Sequence, residues 1–430
     1  MLLSGIIYSF GIEWARADDT IYIKADGSIV PTGSSISTID NSTYTLTGNI
    51  TADFDGIVVE KNSTILDGNG YTIVSGGVSH TTYGIFMENV SDVVIRNVNI
   101  RGFRFDFHVG FSSNITLSNS TLSCNNKDCN TIVGAEFDFA FNCTIANNNF
   151  TGKYGLSLVS SSCNTFSGNS ITDCQLGIYV PYFSIPYSSN NTFYQNSFTR
   201  NLCNIYFEYF SPNNRFFHNN FSLGSASNGR QVEGDCSIQI WDNGVEGNYW
   251  SDYNGTDSNQ DGIGDTPYVI NENCPDHYPL MGTFQSFNVS AWNISADLFE
   301  EVTVISNSTI EKAELFWDMS FEYPWRLDFI AHGQNGTIGF CRVTFPNDML
   351  NSSTYPVHIM EGYIIKIPTQ SRIVESNGTH TTIYFTYNQT LSDYNIDILP
   401  EFPSFLVIPL FMIATLLAIA IYKRRHLTRA

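Results

Sequence analysis

Positive charge is scarce in this chain of 430 residues, where 20 lysines and arginines stand against 41 aspartates and glutamates. Four of those cations lie in the segment 423–430, so removing them takes the net charge of the rest from −21 to −25. A strongly negative surface repels phosphate backbones. The composition therefore argues against nucleic acid as a partner.

Histidine and methionine are also few, and neither is clustered. The chain has 8 histidines and 7 methionines, without a His-x-His or Met-x-x-Met pattern. Copper prefers imidazole and sulfur ligands that are held close together. The residues themselves therefore give copper no support as a cofactor.

Two-residue Asn-Gly turns are nearly absent between the short apolar strands in the first half of the chain. Such turns are typical of hairpins, so a β-sandwich is disfavoured there. The strands instead recur every 21 to 28 residues, as in a solenoid whose coils bury their apolar faces on one another. We predict an all-β, right-handed parallel β-helix with an inward row formed by Ile73, Ile100, Leu122, Phe150, Ile171, Phe198 and Phe221.

Changes in residue composition and in strand pattern along the chain predict further segments before and after this solenoid. We expect a signal peptide (1–17), N-terminal cap strands (18–60), the parallel β-helix (61–247), an Asp- and Gly-rich cap (248–283), a small β-sandwich-like stalk domain (284–397), one C-terminal transmembrane helix (402–422) and a basic tail (423–430). The transmembrane helix is predicted because its 21 uncharged residues can span a bilayer and a cluster of cations follows them. The basic flank stays in the cytoplasm, which places the rest of the chain on the cell surface.

The amino-terminal segment has the small-x-small pattern Ala15-Arg16-Ala17 of a signal-peptidase site. No basic residue precedes its apolar run, so an uncleaved anchor is the alternative. Eighteen Asn-x-Ser/Thr sequons agree with an extracytoplasmic glycoprotein.

The nine cysteines fit an oxidising compartment, and their odd number leaves at least one thiol without an intramolecular partner. Stacked strands lie ~4.8 Å apart, within disulfide reach. The candidate pairs are Cys124 with Cys129, Cys143 with Cys163, and Cys203 with Cys236, which leaves Cys174, Cys274 and Cys341 without partners.

Period-two alternation predicts one exposed flank of the coils that carries polar and aromatic side chains. In 103–109 the odd-numbered residues should face inward, and the same rule applies to Phe137 and Phe139 on the next coil. The predicted outward set is Arg104, Asp106, His108, Glu136, Asp138, Tyr179, Tyr206 and Trp241. Aromatic rings stack on sugars, so we predict that Arg104, His108, Tyr179, Tyr206 and Trp241 bind carbohydrate.

Three acids on that flank, Asp106, Glu136 and Asp138, are the candidates for an acid and base pair that would cut a sugar chain. The simpler interpretation is that they are solvated outward residues, which any β-helix needs. We therefore expect binding without catalysis, and the alternative function is that of a polysaccharide lyase or glycoside hydrolase.

A run of Asx residues in the cap places oxygen atoms at alternate positions around a glycine turn, as Ca²⁺ requires. Its predicted ligands are Asp257, Asn259, Asp261 and Asp265. The twelfth position, where an EF-hand has Glu, is Tyr268. The alternative is an Asx-rich turn without metal.

Three cap motifs carry a family resemblance: Gly247-Asn248-Tyr249-Trp250-Ser251-Asp252-Tyr253, Asp261-Gly262-Ile263-Gly264-Asp265-Thr266-Pro267-Tyr268 and Tyr278-Pro279-Leu280-Met281. Together with the coils they resemble the NosD-type β-helix family of periplasmic copper-binding proteins. That resemblance implies a right-handed solenoid and, as a further alternative, a copper accessory function. The tail, with Pro400-Glu401-Phe402-Pro403 before the apolar span, resembles archaeal PEF-type sorting tails, which implies an archaeal cell-surface protein.

Overall fold

The computed structural model describes residues 20–399 except 77–81, 124–132, 183–186, 209, 224–228, 291–298, 318–324, 351–353, 362–363, 369 and 390–392. The chain divides into two compact units. Unit 1 contains residues up to 252 together with 268–277, and unit 2 contains 253–267 and the residues from 278 onward. The predicted cap (248–283) is therefore shared between the two units.

Unit 1 is built from three long sheets, to which each coil contributes one strand. Sheet 1 contains Ile21–Ile23, Ile29–Val30, Ile57–Val59, Tyr83–Glu88, Phe105–Gly110, Val133–Asp138, Tyr154–Val159, Leu176–Val180, Cys203–Phe207 and Arg230–Gly234. Sheet 2 contains Ile36–Thr38, Thr43–Leu46, Thr64–Asp67, Ser91–Arg96, Ser113–Ser118, Thr144–Ala146, Thr165–Ser167, Thr192–Tyr194 and Arg215–Phe217. Sheet 3 contains Ile50–Ala52, Thr72–Ser75, Asn99–Arg101, Thr121–Ser123, Asn149–Thr151, Ser170–Thr172, Ser197–Asn201, Asn220–Leu223 and Tyr249–Trp250.

Among the described residues, successive coils pair in parallel. At the first coils, Ile29–Val30 pairs antiparallel with Ile21–Ile23, and Ile36–Thr38 pairs antiparallel with Thr43–Leu46. A short antiparallel pair, Tyr268–Val269 with Pro275–Asp276, completes the described strands of unit 1. These sheets are consistent with the predicted right-handed parallel β-helix.

The predicted inward row is confirmed residue by residue in sheet 3. Ile73 pairs with Ile100, and the pairing continues through Leu122, Phe150, Ile171 and Phe198 to Phe221. Every member of the row is fully buried. Burial of each side chain contributes about 1.5–3 kcal/mol relative to exposure, so the stacked row is a main source of stability.

A buried ladder of amides runs beside this row. Each asparagine donates its backbone N–H and its Nδ2 to the Oδ1 of the asparagine one coil later, in the order Asn148, Asn169, Asn196, Asn219 and Asn248. The ladder ends at Asp276, whose Oδ2 accepts from Asn248 N at 2.8 Å and from Trp250 Nε1 at 2.8 Å. A carboxylate suits the last position because it only accepts hydrogen bonds.

Unit 2 is an antiparallel β-sandwich. One sheet contains Thr283–Ser290, Phe299–Ser306, Ile338–Pro346, Gln370–Ser376 and His380–Asn388, and the other contains Thr309–Trp317, Trp325–His332, Val357–Glu361, Ile364–Lys366 and Asp393–Ile398. Their inner faces share one apolar core, to which Val304, Val343 and Phe385 contribute from the first sheet and Leu327 and Ile396 from the second.

The disulfide predictions for the described cysteines are wrong, because the paired residues do not stand in register. Cys236 is bonded to Cys274, while Cys203 is a free thiol; its register partner is Arg230. Cys143 and Cys163 are also free. The pairing of Thr144 with Thr165 leaves these two cysteines one residue out of step, which sends their side chains to opposite faces.

Some predictions fall outside the described residues. They are the signal peptide (1–17), the transmembrane helix (402–422), the basic tail (423–430) and the pair Cys124 and Cys129. Within the described part of the chain, no helix has the length and apolarity needed to cross a membrane.

Candidate functional site

The outer face of sheet 1 brings together most of the predicted site residues. Strand register places Phe86, His108, Glu136, Ser157, Tyr179 and Tyr206 in one row, each a coil apart. Adjacent parallel strands lie ~4.8 Å apart. The face therefore offers side chains at a regular spacing along the solenoid.

His108 and Glu136 form a hydrogen-bonded pair in the first half of this row. The distance from His108 Nδ1 to Glu136 Oε2 is 3.0 Å, and both side chains are largely buried. The imidazole also stacks on the Phe86 ring, with centroids 5.2 Å apart and planes at 5°. Glycine at position 110 leaves room for this arrangement, because a Cβ there would lie 3.1 Å from His108 Nε2.

Asp138 lies beside this pair, two residues after Glu136 on the same strand. Its Oδ1 is buried and has no hydrogen-bond donor among the described residues. Burial, followed by the negative charges of Glu136 and Glu88, raises the pKa of Asp138, while His108 opposes that rise. The carboxyl group can therefore hold a proton at a pH where an ordinary aspartate would have lost it.

His108 is surrounded by aromatic rings that were not among the predicted site residues. Tyr83 lies 5.0 Å from the His108 ring and stacks on Phe105 at 5.3 Å, and the Arg104 guanidinium lies 5.5 Å from the Phe105 ring centre. The prediction that Phe105 and Phe139 face inward is wrong for both residues, since neither is buried and the Phe139 ring stacks on that of the exposed Phe111. The alternation changes at residue 106, so that the Phe105 and His108 rings pack against Tyr83 on the outer face of the sheet, while Phe107 is buried in the core.

Three tyrosines form the second half of the face. Tyr179 stacks between Tyr154 at 5.1 Å and Tyr206 at 5.9 Å. Both faces of the Tyr179 ring are therefore covered, and this row presents ring edges to solvent. The Tyr179 hydroxyl donates to Glu208 Oε2 at 2.7 Å. Burial and then that hydrogen bond raise the pKa of Tyr179, and the same bond lowers the pKa of Glu208.

The prediction that Asp106 faces outward is wrong, because this carboxyl group lies inside the coil with no exposed surface. In the strand register, Asp106 is aligned with Gly84 on the preceding coil and with Gly134 on the following coil. A Cβ on Gly84 would lie 2.2 Å from Ile100 Cγ2, which shows that this position points inward. Burial raises the pKa of Asp106 well above its ordinary value. Hydrogen bonds from the backbone amides of Phe103 and Ser123 lower this pKa, but their effect is smaller.

Trp241 is a second correction, since it is buried and not on the outer face. It continues an inward ladder of rings in which Phe166, Phe193, Phe216 and Trp241 follow one another at centroid distances of 4.6 Å. The segment 235–240 before Trp241 is irregular, and Ile240 pairs with Arg215 through an isolated bridge and not within a continuous strand. Period-two counting from earlier coils therefore fails there.

The predicted calcium loop is a turn whose carboxylates accept hydrogen bonds from its own backbone. Asp257 accepts from the amides of Asp261 and Gly262 at 3.0 and 2.9 Å, and Asp265 accepts from Ser258 N at 2.8 Å. Asn259 Nδ2 donates to Asp261 Oδ2 at 2.9 Å. Burial raises the pKa of Asp257, whereas the hydrogen bond from Ser258 lowers that of Asp265.

Copper ligands are not assembled in the described part of the chain. No group of three or more His, Cys, Asp or Glu side chains there could hold a metal ion. His108, His218 and His277 lie at separate places, each paired with a carboxylate. The free thiols Cys143, Cys174 and Cys203 are buried, which raises their pKa to about 11, 12 and 11, and a protonated thiol is a poor ligand. These residues do not fit a copper site.

Comparison with solved structures finds only distant likenesses. Endopolygalacturonase I from Stereum purpureum is 16% identical over 46% of this chain and 68% of its own, with a TM-score of 0.32. Tailspike protein 2 of bacteriophage CBA120 is 12% identical over 88% of this chain and 67% of its own, with a TM-score of 0.25. Tailspike protein gp49 of Pseudomonas phage LKA1 is 10% identical over 82% of this chain and 66% of its own, with a TM-score of 0.22. Such scores carry no argument about activity.

The sequence comparisons give a clearer result. No curated protein matches the chain. The family model described as periplasmic copper-binding protein (NosD) matches residues 15–255, which is more than half of the chain and covers the described coils of unit 1. The chain therefore belongs to the NosD family.

Proposed function

We propose that this protein binds carbohydrate on the outer face of sheet 1 without cleaving it. The observation that carries the proposal is the row of His108, Glu136, Tyr179 and Tyr206, held in register on neighbouring coils. A polymer with a regular repeat can contact side chains at the same position of successive coils on such a face. The net charge of −21 argues against phosphate polymers as the ligand.

The chemistry of the face suits sugars. Carboxylates and tyrosine hydroxyls form hydrogen bonds with sugar hydroxyl groups, and aromatic carbon provides apolar contact. Because the stacked tyrosines cover each other's faces, the sugars would meet ring edges and the pair of Tyr179 with Glu208. Pre-stacked rings lose little conformational freedom on binding, which favours affinity.

A glycan array probed with the full chain tests the proposal, followed by titration calorimetry on the best ligand. Tyr179→Ala should weaken binding about fivefold, as expected for loss of one aromatic contact. The control is Tyr194→Ala, which removes a tyrosine stacked on Phe217 on the outer face of sheet 2. Equal weakening by both variants, or no glycan bound by the full chain, would contradict the proposal.

Catalysis is the second candidate function, and the raised pKa of Asp138 beside Glu136 favours it. Asp138 would act as the acid and Glu136 as the base. The burial of Asp106 removes the third predicted acid from this reaction. Incubation with a polysaccharide panel, read out as new reducing ends or unsaturated products, separates the two functions. Products that disappear in Asp138→Asn would replace the binding proposal with an enzymatic one.

We further propose that residues 402–422 anchor the protein in the membrane, with 423–430 in the cytoplasm and the solenoid on an archaeal cell surface. The uncharged span, its basic flank and the likeness to PEF-type sorting tails support this placement. Full-length protein should fractionate with membranes, whereas a chain ending at Ile398 should be exported and soluble. Full-length protein that is uncleaved and soluble without detergent would contradict the anchor.

A further inference from the structure

Two phenylalanines occupy a backbone conformation that bulky residues rarely adopt. Phe111 has φ of 46° and Phe139 has φ of 50°. They stand at the same corner of neighbouring coils, where Phe111 N donates to the carbonyl oxygen of Asp138 at 2.8 Å. The corresponding residues one coil earlier and one coil later are Asn89 and Ser160, also at positive φ. Small polar residues tolerate this region, whereas phenylalanine is strained there.

Burial of the rings does not explain this strain. Phe111 is 52% exposed, and its ring stacks on that of Phe139 with centroids 4.8 Å apart and planes at 7°. Phe141, which lies two residues after Phe139, is 55% exposed. The corner therefore presents a cluster of phenyl carbon to solvent at a backbone position where asparagine fits better.

This corner adjoins the acidic part of the outer face of sheet 1. Asp138 directly precedes Phe139, and both Glu88 and Asp138 pair with Gly110, the residue before Phe111. Burial is the main reason why the pKa of Asp138 is raised, and the charges of Glu136 and Glu88 raise it further against the opposing effect of His108. A carboxylate brought by a ligand would experience the same unfavourable field.

We propose that the Phe111 and Phe139 rings form an apolar subsite of the carbohydrate-binding face, and that this subsite takes an uncharged sugar in preference to a uronic acid. This inference rests on the proposed function and adds a place and a ligand class to it. The C–H surface of a neutral pyranose packs on the exposed ring, and its hydroxyls meet the carboxylates of Glu88 and Glu136.

The test is a binding titration of the full chain with mannan and galactan as neutral probes and polygalacturonate as the acidic probe. Neutral polymer should bind at least tenfold more tightly than polygalacturonate. Phe111→Asn should weaken neutral binding about fivefold while leaving the melting temperature equal or higher, because Asn89 already stands at this corner one coil earlier. The control is Phe54→Ala, which removes a ring that is 63% exposed elsewhere on unit 1 and should not change affinity.

The possible failures are distinguishable. If Tyr179→Ala weakens binding and Phe111→Asn does not, the subsite is wrong and the proposed function stands. If Phe111→Asn lowers the melting temperature by several degrees, the rings are structural and the subsite is again wrong. Tighter binding of polygalacturonate than of either neutral polymer overturns the ligand class, and failure of all glycans to bind overturns both proposals.

Discussion

Replacing Asp106 with asparagine should change how the stability of unit 1 depends on pH. Asp106 is fully buried, its Oδ2 has no hydrogen-bond partner among the described residues, and burial raises its pKa well above the ordinary value. The folded state therefore binds this proton more tightly than the unfolded state. It follows that the free energy of unfolding falls as pH rises above the ordinary aspartate pKa.

The size of the effect follows from the linkage of one proton. The slope is at most about 1.4 kcal/mol per pH unit, which gives a loss of at most about 2.7 kcal/mol between pH 5 and pH 7. Asp106→Asn removes this titration, so the variant should lose less stability over the same range. The change in slope is the prediction, because the absolute stability also depends on how well the new amide is hydrogen-bonded.

Urea unfolding at several pH values, followed by tryptophan fluorescence, measures the slope. Trp241 and Trp250 are buried in unit 1 and report on its unfolding. Asp92→Asn, which changes an exposed carboxylate, is the matched control and should keep the slope of the original protein. Identical slopes for the original protein and Asp106→Asn would refute the reasoning. Asp106→Asn should bind glycan as well as the original protein does, because the side chain at position 106 does not reach the outer face of sheet 1.

Three further predictions concern the later coils and the loop of unit 2. Cys236→Ser should lower the free energy of unfolding by about 2–4 kcal/mol, because its disulfide closes a loop with a sequence separation of 38; Cys163→Ser, which changes an exposed free thiol, should have little effect in the same urea titration. Asp276→Ala removes the acceptor at the end of the amide ladder and should cost about 2–4 kcal/mol by urea titration, whereas Asp235→Ala, in an exposed turn, should cost less than about 1 kcal/mol. If the 257–265 loop binds Ca²⁺, the ion should raise the melting temperature and Asp261→Ala should abolish that rise; equal melting with calcium and with chelator would disprove the site.

The inward row could be predicted because its signal is periodic. Ile100 and Leu122 sit at the same point of successive coils, so spacing alone identifies them as stacked neighbours. The same reasoning placed His108, Glu136 and Tyr179 on one outer row. Both results depend only on the coil repeat and on local alternation, which are properties of the sequence.

The errors arise where local alternation breaks. Asp106 stands at a position where other coils have Gly84, Gly134, Gly155 or Gly177, and that recurring glycine was the available signal that the position points inward. Other features depend on contacts between segments that no repeat relates. The bond between Cys236 and Cys274 joins the end of the coils to a later turn, and the left-handed backbone of Phe111 is not visible in its residue type.

Hydroxyl-radical footprinting of the full chain, with and without its best-bound glycan, tests the central claim most directly. Bound carbohydrate should protect Tyr154, Tyr179 and Tyr206 on the outer face of sheet 1 from oxidation. Tyr194 and Phe217, stacked on the outer face of sheet 2, should be oxidised equally in both samples. Protection of the sheet 2 pair with unchanged oxidation of the three tyrosines would contradict the account.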